Sequence, residues 1–223
     1  MTRTSSLRPL LLDFDGTLVD TRLDMAEGVN RLLASLDLPP LPVDQVMSYV
    51  GRGARSLIRR SLDAVDPQGR KGRGDNVLRS FLDHYKEVLL DNSAPYPGVL
   101  QGLELLQEQG VPMAVVSNKP EEPLRTIMTG LELHRFLPVV VGGDSAGVPK
   151  PDPAPLVHAA TQLRVPLSTC IMVGDSDVDI QAACNAGIEG VWCCWGGVHP
   201  DRPDGPHKVA STFDEIVQLA LAC

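Results

Sequence analysis

Apolar residues in this chain fall into short continuous runs, separated by stretches in which they recur every three or four positions. The runs at 9–14, 111–117, Val139–Val141 and 169–173 read as buried strands, with 190–195 as a fifth. Each is short and apolar at successive positions, the pattern of a strand covered on both faces. The spacing predicts helices over 99–109, 121–133, 155–163, 178–186 and Phe213–Leu221, the last opening on a Thr212-x-x-Glu215 capping box. Strands alternating with helices in this way predict an α/β fold built on a doubly wound parallel sheet.

One region breaks the rhythm. Residues 19–92 show no strand pattern, but 23–36, 54–64 and 77–90 have helical spacing, punctuated by Pro39, Pro40, Pro42 and Pro67. The expected organisation is therefore a core of residues 1–18 and 93–223 interrupted by an inserted all-helical cap, 19–92.

Composition narrows the function. The 223 residues are 43% hydrophobic with a formal net charge of −8, opposite in sign to a global nucleic-acid footprint. No apolar stretch approaches the ~18 residues of a membrane span, and the run at 10–12 is too short for a signal peptide. Five cysteines (Cys170, Cys184, Cys193, Cys194, Cys223) give an odd count with no CxxC spacing. That fits reduced thiols in a soluble cytoplasmic protein better than a disulfide framework or a zinc site.

In an open α/β sheet, ligands collect at the carboxyl ends of the strands. The first strand ends in Asp13-Phe14-Asp15-Gly16-Thr17, the second in Ser117-Asn118-Lys119, and the fourth in Gly174-Asp175-Ser176-Asp177-Val178-Asp179. Lys150 precedes the helix leading to that fourth strand. One acidic strand end is ordinarily a turn or a helix cap. Several meeting at one edge are costly unless a cation offsets them, and Mg²⁺ is the hard, oxygen-preferring candidate. Lys150 and Ser117 add the positive charge and hydrogen-bond donor that a phosphate requires.

"DFDGT", "VVSNKP", "KPDP" and "GDSDVDIQAA", in this order, resemble the four motifs of the haloacid-dehalogenase superfamily of phosphotransferases. Within it, "PYPGV", "VSNKP", "VGGD", "KPDPAPL" and "VGRGARSLIRR" look most like the phosphoglycolate phosphatases. The resemblance implies Asp13 as a nucleophile forming an aspartyl phosphate and as a metal ligand. It implies Asp15 as acid and then base, with its backbone carbonyl on the metal, and Thr17 as the residue orienting Asp15. Ser117 would hold the phosphoryl group, Lys150 would balance charge, and Asp175 would complete the Mg²⁺ site with Asp179 beside it. Gly16 and Asn118 would contact substrate. Arg52 and Arg55, cations in the cap loop, would supply the reader of a substrate carboxylate.

The expected activity is Mg²⁺-dependent hydrolysis of a small anionic phosphate ester, 2-phosphoglycolate foremost, by a monomer or homodimer needing neither nucleic acid nor membrane. Alternatives within the superfamily are a sugar-phosphate phosphatase, a pyrophosphatase and a phosphosugar mutase; outside catalysis, a phosphate-binding regulator. A dehalogenase is disfavoured, because it requires neither Asp15 nor a metal. "GRGARS" lacks the third glycine of a dinucleotide loop and follows no strand. "DSDVDI" has Ile180 where a calcium loop needs glycine. The eight basic residues against three acids over 52–79 lack interleaved aromatics, so they read as solvated helix faces. Cys193, Cys194, His199 and His207 have no metal-site spacing.

Overall fold

The computed structural model describes residues 7–69, 71, 74–196 and 207–222. Arg70, Arg73, His199, Cys223 and most of the unassigned segment 196–208 lie outside the described residues. The strands are β1 (Leu10–Leu12), β2 (Val19–Asp20), β3 (Ala94–Pro95), β4 (Met113–Val116), β5 (Val139–Val141), β6 (Ile171–Gly174), β7 (Glu189–Cys193) and β8 (Lys208–Ala210). The helices are α1 (Arg22–Ser35), α2 (Val43–Met47), α3 (Ala54–Val65), α4 (Asp75–Lys86), α5 (Val99–Glu108), α6 (Glu121–Gly130), α7 (Ala154–Leu163), α8 (Asp177–Ala186) and α9 (Phe213–Leu221).

Six strands form one parallel sheet in the order β5-β4-β1-β6-β7-β8. β1 is central, with Leu10 in register with both Met113 and Ile171. All three of its leucines are fully buried, which a strand can achieve only when helices cover both faces. Successive side chains divide between those faces. Leu10 and Leu12 pack with Leu103 and Leu106 of α5, Leu124 of α6 and Ile216 of α9, whereas Leu11 packs with Leu156 of α7 and Ala183 of α8. The sheet is therefore doubly wound. The chain leaves β1 towards β4 and β5, then returns past it to β6, so the order reverses beside β1 and opens a crevice at its carboxyl end.

The four helices α1–α4 stand between β1 and β4 in the chain and pack on one another. α1 and α4 meet closely at Gly28, where a Cβ would come within 3.0 Å of the Tyr85 side chain. β2 and β3 pair antiparallel, Val19 with Pro95 and Asp20 with Ala94, tying together the two passages between helices and sheet. The stretch expected to hold no strand thus begins with one, and two residues are too few to show a period in sequence. Asp24 of α1, fully buried, accepts hydrogen bonds from the backbone and side chains of Asn92 and Ser93.

Other differences are local. α2 and β8 escaped the sequence reading because each is short. α4 stops at Lys86, while Val88 and Leu89 remain buried in the turn that follows, so their apolar spacing marks burial without helix. Thr212 accepts from Glu215 N at the start of α9, but Glu215 reaches back to Ser211 N, leaving the expected capping box half-formed. Among the described residues, no helix is long and apolar enough to cross a membrane.

Candidate active site

Asp13 follows β1 directly. Its N–H donates to Val173 O at 2.9 Å, so the parallel ladder runs one residue further and delivers the side chain to the sheet edge. Phe14 then turns into the core, fully buried, and its carbonyl accepts from Leu18 N and Val19 N at 3.0 Å each. Gly16 closes the turn with φ +84°, a backbone region in which side chains are rarely tolerated. A Cβ there would also sit 2.2 Å from Asp175 Oδ2.

Lys150 gathers the edge together. Its side chain is 2% exposed, and Nζ donates to Val116 O (2.6 Å), Asp13 Oδ1 (3.0 Å) and Asp179 Oδ1 (2.6 Å), which uses all three of its hydrogens. The other oxygen of Asp179 accepts from Ser176 N (3.1 Å) and Oγ (2.6 Å), fixing it on the first turn of α8. Gly174 leaves room for it, since a Cβ would fall 2.2 Å from Asp179 Cγ.

Carboxylate oxygens of Asp13, Asp175 and Asp179 lie within 4.8 Å of one another, all buried. Burial, Lys150 acting in opposition, and the neighbouring Asp179 and Asp15 together push the Asp13 carboxyl up to about 7. Burial, then Asp13 and Asp179, hold Asp175 well above the ordinary carboxylate range. The protein thus places more negative charge here than its own lysine offsets, using hard oxygen donors alone. That donor set fits a divalent cation such as Mg²⁺.

Asp15 lies outside this cluster. Its oxygens accept from Lys119 Nζ at 2.8 and 3.0 Å, and Oδ1 also accepts from Thr21 Oγ1 at 2.7 Å. Thr17, expected to orient Asp15, donates instead to Asp175 Oδ1 at 3.3 Å; the turn points its hydroxyl at β6, and Thr21 takes the expected place. Ser117 is buried beside these groups and lines the same pocket as Asp13.

The side chain of Asn118 does not present itself to a ligand as expected. Its Nδ2 donates to Gly51 O and Lys150 O at 2.9 Å each, and Oδ1 accepts from Lys150 N at 2.8 Å. It staples the cap loop and the Lys150 loop to the end of β4.

The cap arginines also depart from expectation. Arg52 pairs with Asp177 of α8 at 2.8 Å and Arg55 with Asp75 of α4 at 2.6 Å, all four side chains well exposed. Neither arginine lines the pocket that contains Asp13 and Asp15; both line an adjoining cavity that shares Gly53, Ala54, Asn118 and Pro120 with it. Opposing acids on the protein surface satisfy both guanidinium groups and draw them outward. The cap wall of that pocket is instead Met25, Val50, Leu57, Phe81, Leu82 and Tyr85.

Two pocket residues, Lys119 and Tyr85, escaped the sequence reading, as did Thr21, the hydroxyl bonded to Asp15. Lys119 is 6% exposed, and although burial opposes its charge, Asp15 outweighs that and holds it above the usual lysine range. Its position immediately after Ser117-Asn118 was the available signal. Tyr85 offered none, since it lies in a helical stretch remote from the motifs, and Thr21, though close to the first motif, is one hydroxyl among two whose direction spacing does not encode.

The model of the haloacid dehalogenase-like hydrolase family matches residues 10–193. A phosphoglycolate phosphatase of Colwellia psychrerythraea is 37% identical, over 93% of this chain and 94% of its own. A plasmid-borne phosphoglycolate phosphatase of Cupriavidus necator is 39% identical, over 87% and 84%. A crystal structure named as a predicted phosphoglycolate phosphatase from Haemophilus somnus superposes with a TM-score of 0.84 at 30% identity, covering 96% of this chain and 97% of that one. The strand-edge carboxylates, the lysine that joins them and these likenesses agree: the chain belongs to the haloacid dehalogenase-like hydrolase family.

Proposed function

We propose that this enzyme is a Mg²⁺-dependent phosphatase hydrolysing 2-phosphoglycolate to glycolate and phosphate through an aspartyl phosphate on Asp13. The observation that carries this reading is the different environment of two aspartates two residues apart. Asp13 belongs to the buried carboxylate cluster, and Asp15 faces Lys119 and Thr21 outside it. Carboxylates in unlike surroundings serve unlike roles. The names of the curated relatives support the substrate.

Asp13, Asp175 and Asp179 would hold the ion, with the backbone carbonyl of Asp15. Bound there, Mg²⁺ would offset the repulsion between a phosphate dianion and an attacking carboxylate. Asp13 forms a bond to phosphorus as the bond to the leaving oxygen breaks, and Asp15 gives that oxygen a proton. Water then attacks the same phosphorus and passes a proton to Asp15, releasing phosphate and restoring Asp13. Lys150 keeps the Asp13 carboxylate oriented through Oδ1, and Ser117 donates to the transferring group.

We assign the division between core and cap to residues 18/19 and 92/93, where the β2–β3 pair and the Asp24 contacts join the two parts. A cytoplasmic monomer or homodimer is in keeping with the free thiols of Cys170, Cys184, Cys193 and Cys194. Purified protein with 2-phosphoglycolate and Mg²⁺ should release glycolate and phosphate in equal amounts. Phosphate release from other esters alone would refute the substrate.

A further inference from the structure

The motifs account for the phosphate end of the substrate. An anionic group at the other end has to be met inside the same pocket, where the cap wall is apolar. Within that pocket Lys119 is the one cationic side chain among the lining residues, since Lys150 is spent on Asp13, Asp179 and Val116 O. Arg52 and Arg55 are held outside it by Asp177 and Asp75.

Lys119 has a companion on the opposite wall. Tyr85 of α4 lines the pocket, is 2% exposed, and its buried hydroxyl makes no hydrogen bond of normal geometry, its polar neighbour being the Lys119 ammonium. A buried hydroxyl without a well-formed partner is destabilising, so a well-packed position retains one only when something else compensates. Gly28 packs closely beneath Tyr85, where a Cβ would come within 3.0 Å of its side chain, and Phe81 stacks on the ring at 5.5 Å between centres, so the phenol is packed from two sides. Lys119 Nζ stands 4.9 Å from the centre of the Tyr85 ring. An ammonium offers three hydrogens, and Asp15 receives two contacts from it.

We propose that Lys119 and Tyr85 form the subsite for the substrate's remote carboxylate, the ammonium from the core and the phenol from the cap gripping one anionic group between them. The inference rests on the 2-phosphoglycolate reading and names the residues that select for it. Because the two donors come from opposite walls, a carboxylate held by both also holds the cap over the core. The same ammonium touches Asp15, so the subsite sits next to the group that protonates the leaving oxygen.

The test compares 2-phosphoglycolate with ethyl phosphate, which has a methyl in place of the carboxylate, as the ratio of kcat/KM for the two esters. The parent enzyme should favour 2-phosphoglycolate. Tyr85→Phe removes a hydroxyl that makes no well-formed hydrogen bond within the protein, so its melting temperature should change little, and the ratio should drop roughly 10–100-fold for a lost hydrogen bond to a charged group. Lys119→Met should lower the ratio by about 30-fold or more, as expected for truncating one partner of a buried charge pair. If Lys119→Met does not fold, Tyr85→Phe decides alone. Equal losses on both esters, or an unchanged ratio in Tyr85→Phe, would overturn the subsite while leaving the phosphatase reading in place. A parent enzyme that hydrolyses both esters equally well would overturn the substrate reading and the subsite together.

Discussion

Along the carboxyl edge of the sheet the charged side chains are bound to one another: Lys150 to three acceptors, Asp179 to Ser176 and Lys150, Thr17 to Asp175. Across the pocket, the cap offers aliphatic and aromatic side chains and one buried hydroxyl. The first wall is assembled before any substrate arrives, and its geometry serves any phosphate ester. The second is shaped by packing, and its buried hydroxyl makes no well-formed hydrogen bond within the protein. On the proposed reading the two walls meet at Lys119, a core residue bonded to Asp15, while the cap's own contribution to selectivity is the Tyr85 hydroxyl, which can be removed without touching the core.

The largest effect should come from the core wall. Asp13→Asn removes the attacking oxygen and a metal ligand together, and should lower turnover by roughly 10⁴-fold or more. The fold should persist, because Asp13 is anchored by its backbone N–H to Val173. Phosphate release together with a thermal melt checks both halves, and retention of a tenth of parental activity would move the chemistry elsewhere. Chelation should likewise reduce activity to background, with Mg²⁺ restoring it. The metal-free Asp13 carboxyl sits at about 7, raised by burial, so below that pH a proton competes with the ion. The Mg²⁺ concentration for half-maximal activity should therefore be higher at pH 6 than at pH 8 and level off above about 7. An identical value at both pH values would remove Asp13 from the metal site.

A smaller and more selective effect is expected at Asp15. Asp15→Asn should cost roughly 10²–10⁴-fold on an alkyl phosphate, whose leaving oxygen needs a proton. An activated aryl ester, which leaves as a stable phenolate, should lose far less. Equal losses on both would make Asp15 a structural partner of Lys119 and Thr21 and nothing more.

How far the sequence alone reveals this arrangement differs between the walls for the same reason that their chemistry differs. Asp13, Lys150 and Asp175 are legible because a charged residue ending an apolar run demands a cause, and the ends of parallel strands must share one edge. Thr17 and Thr21 lie close in sequence yet serve different acids. The turn at Gly16 decides which hydroxyl points where, and spacing does not encode it. On the cap, helical period shows which face is buried, so Phe81 and Tyr85 read as core. That the ring of one of them packs against a lysine at the end of β4, with its hydroxyl in no well-formed hydrogen bond, depends on how α4 approaches β4. For the arginines, charge in a glycine-flanked loop advertises binding, while their partners in this structure, Asp177 and Asp75, are remote in sequence and so not legible from it.

The smallest predicted effect sharpens that last point. Like Lys86 with Glu122, Arg52 crosses from the cap to the core, forming an ion pair with Asp177 at the start of α8. Both of its side chains are about half exposed, 52% and 44%, so solvent screens the attraction and its contribution to stability lies within about 1 kcal/mol. Arg55 and Asp75, at 71% and 79%, are screened further and belong wholly to the cap. If neither guanidinium reads the substrate, Arg55→Ala should leave the preference for 2-phosphoglycolate over ethyl phosphate unchanged. Arg52→Ala should alter kcat/KM for both esters by the same factor, no more than about fivefold, because it loosens closure without touching the ligand. That common factor should shrink as salt is raised in the parent, since the pair it removes is screened there already. A selective loss on 2-phosphoglycolate in either variant would mean that the cap reads the carboxylate through its arginines, and the division between a chemical wall and a selective wall would have to be redrawn around the cap loop.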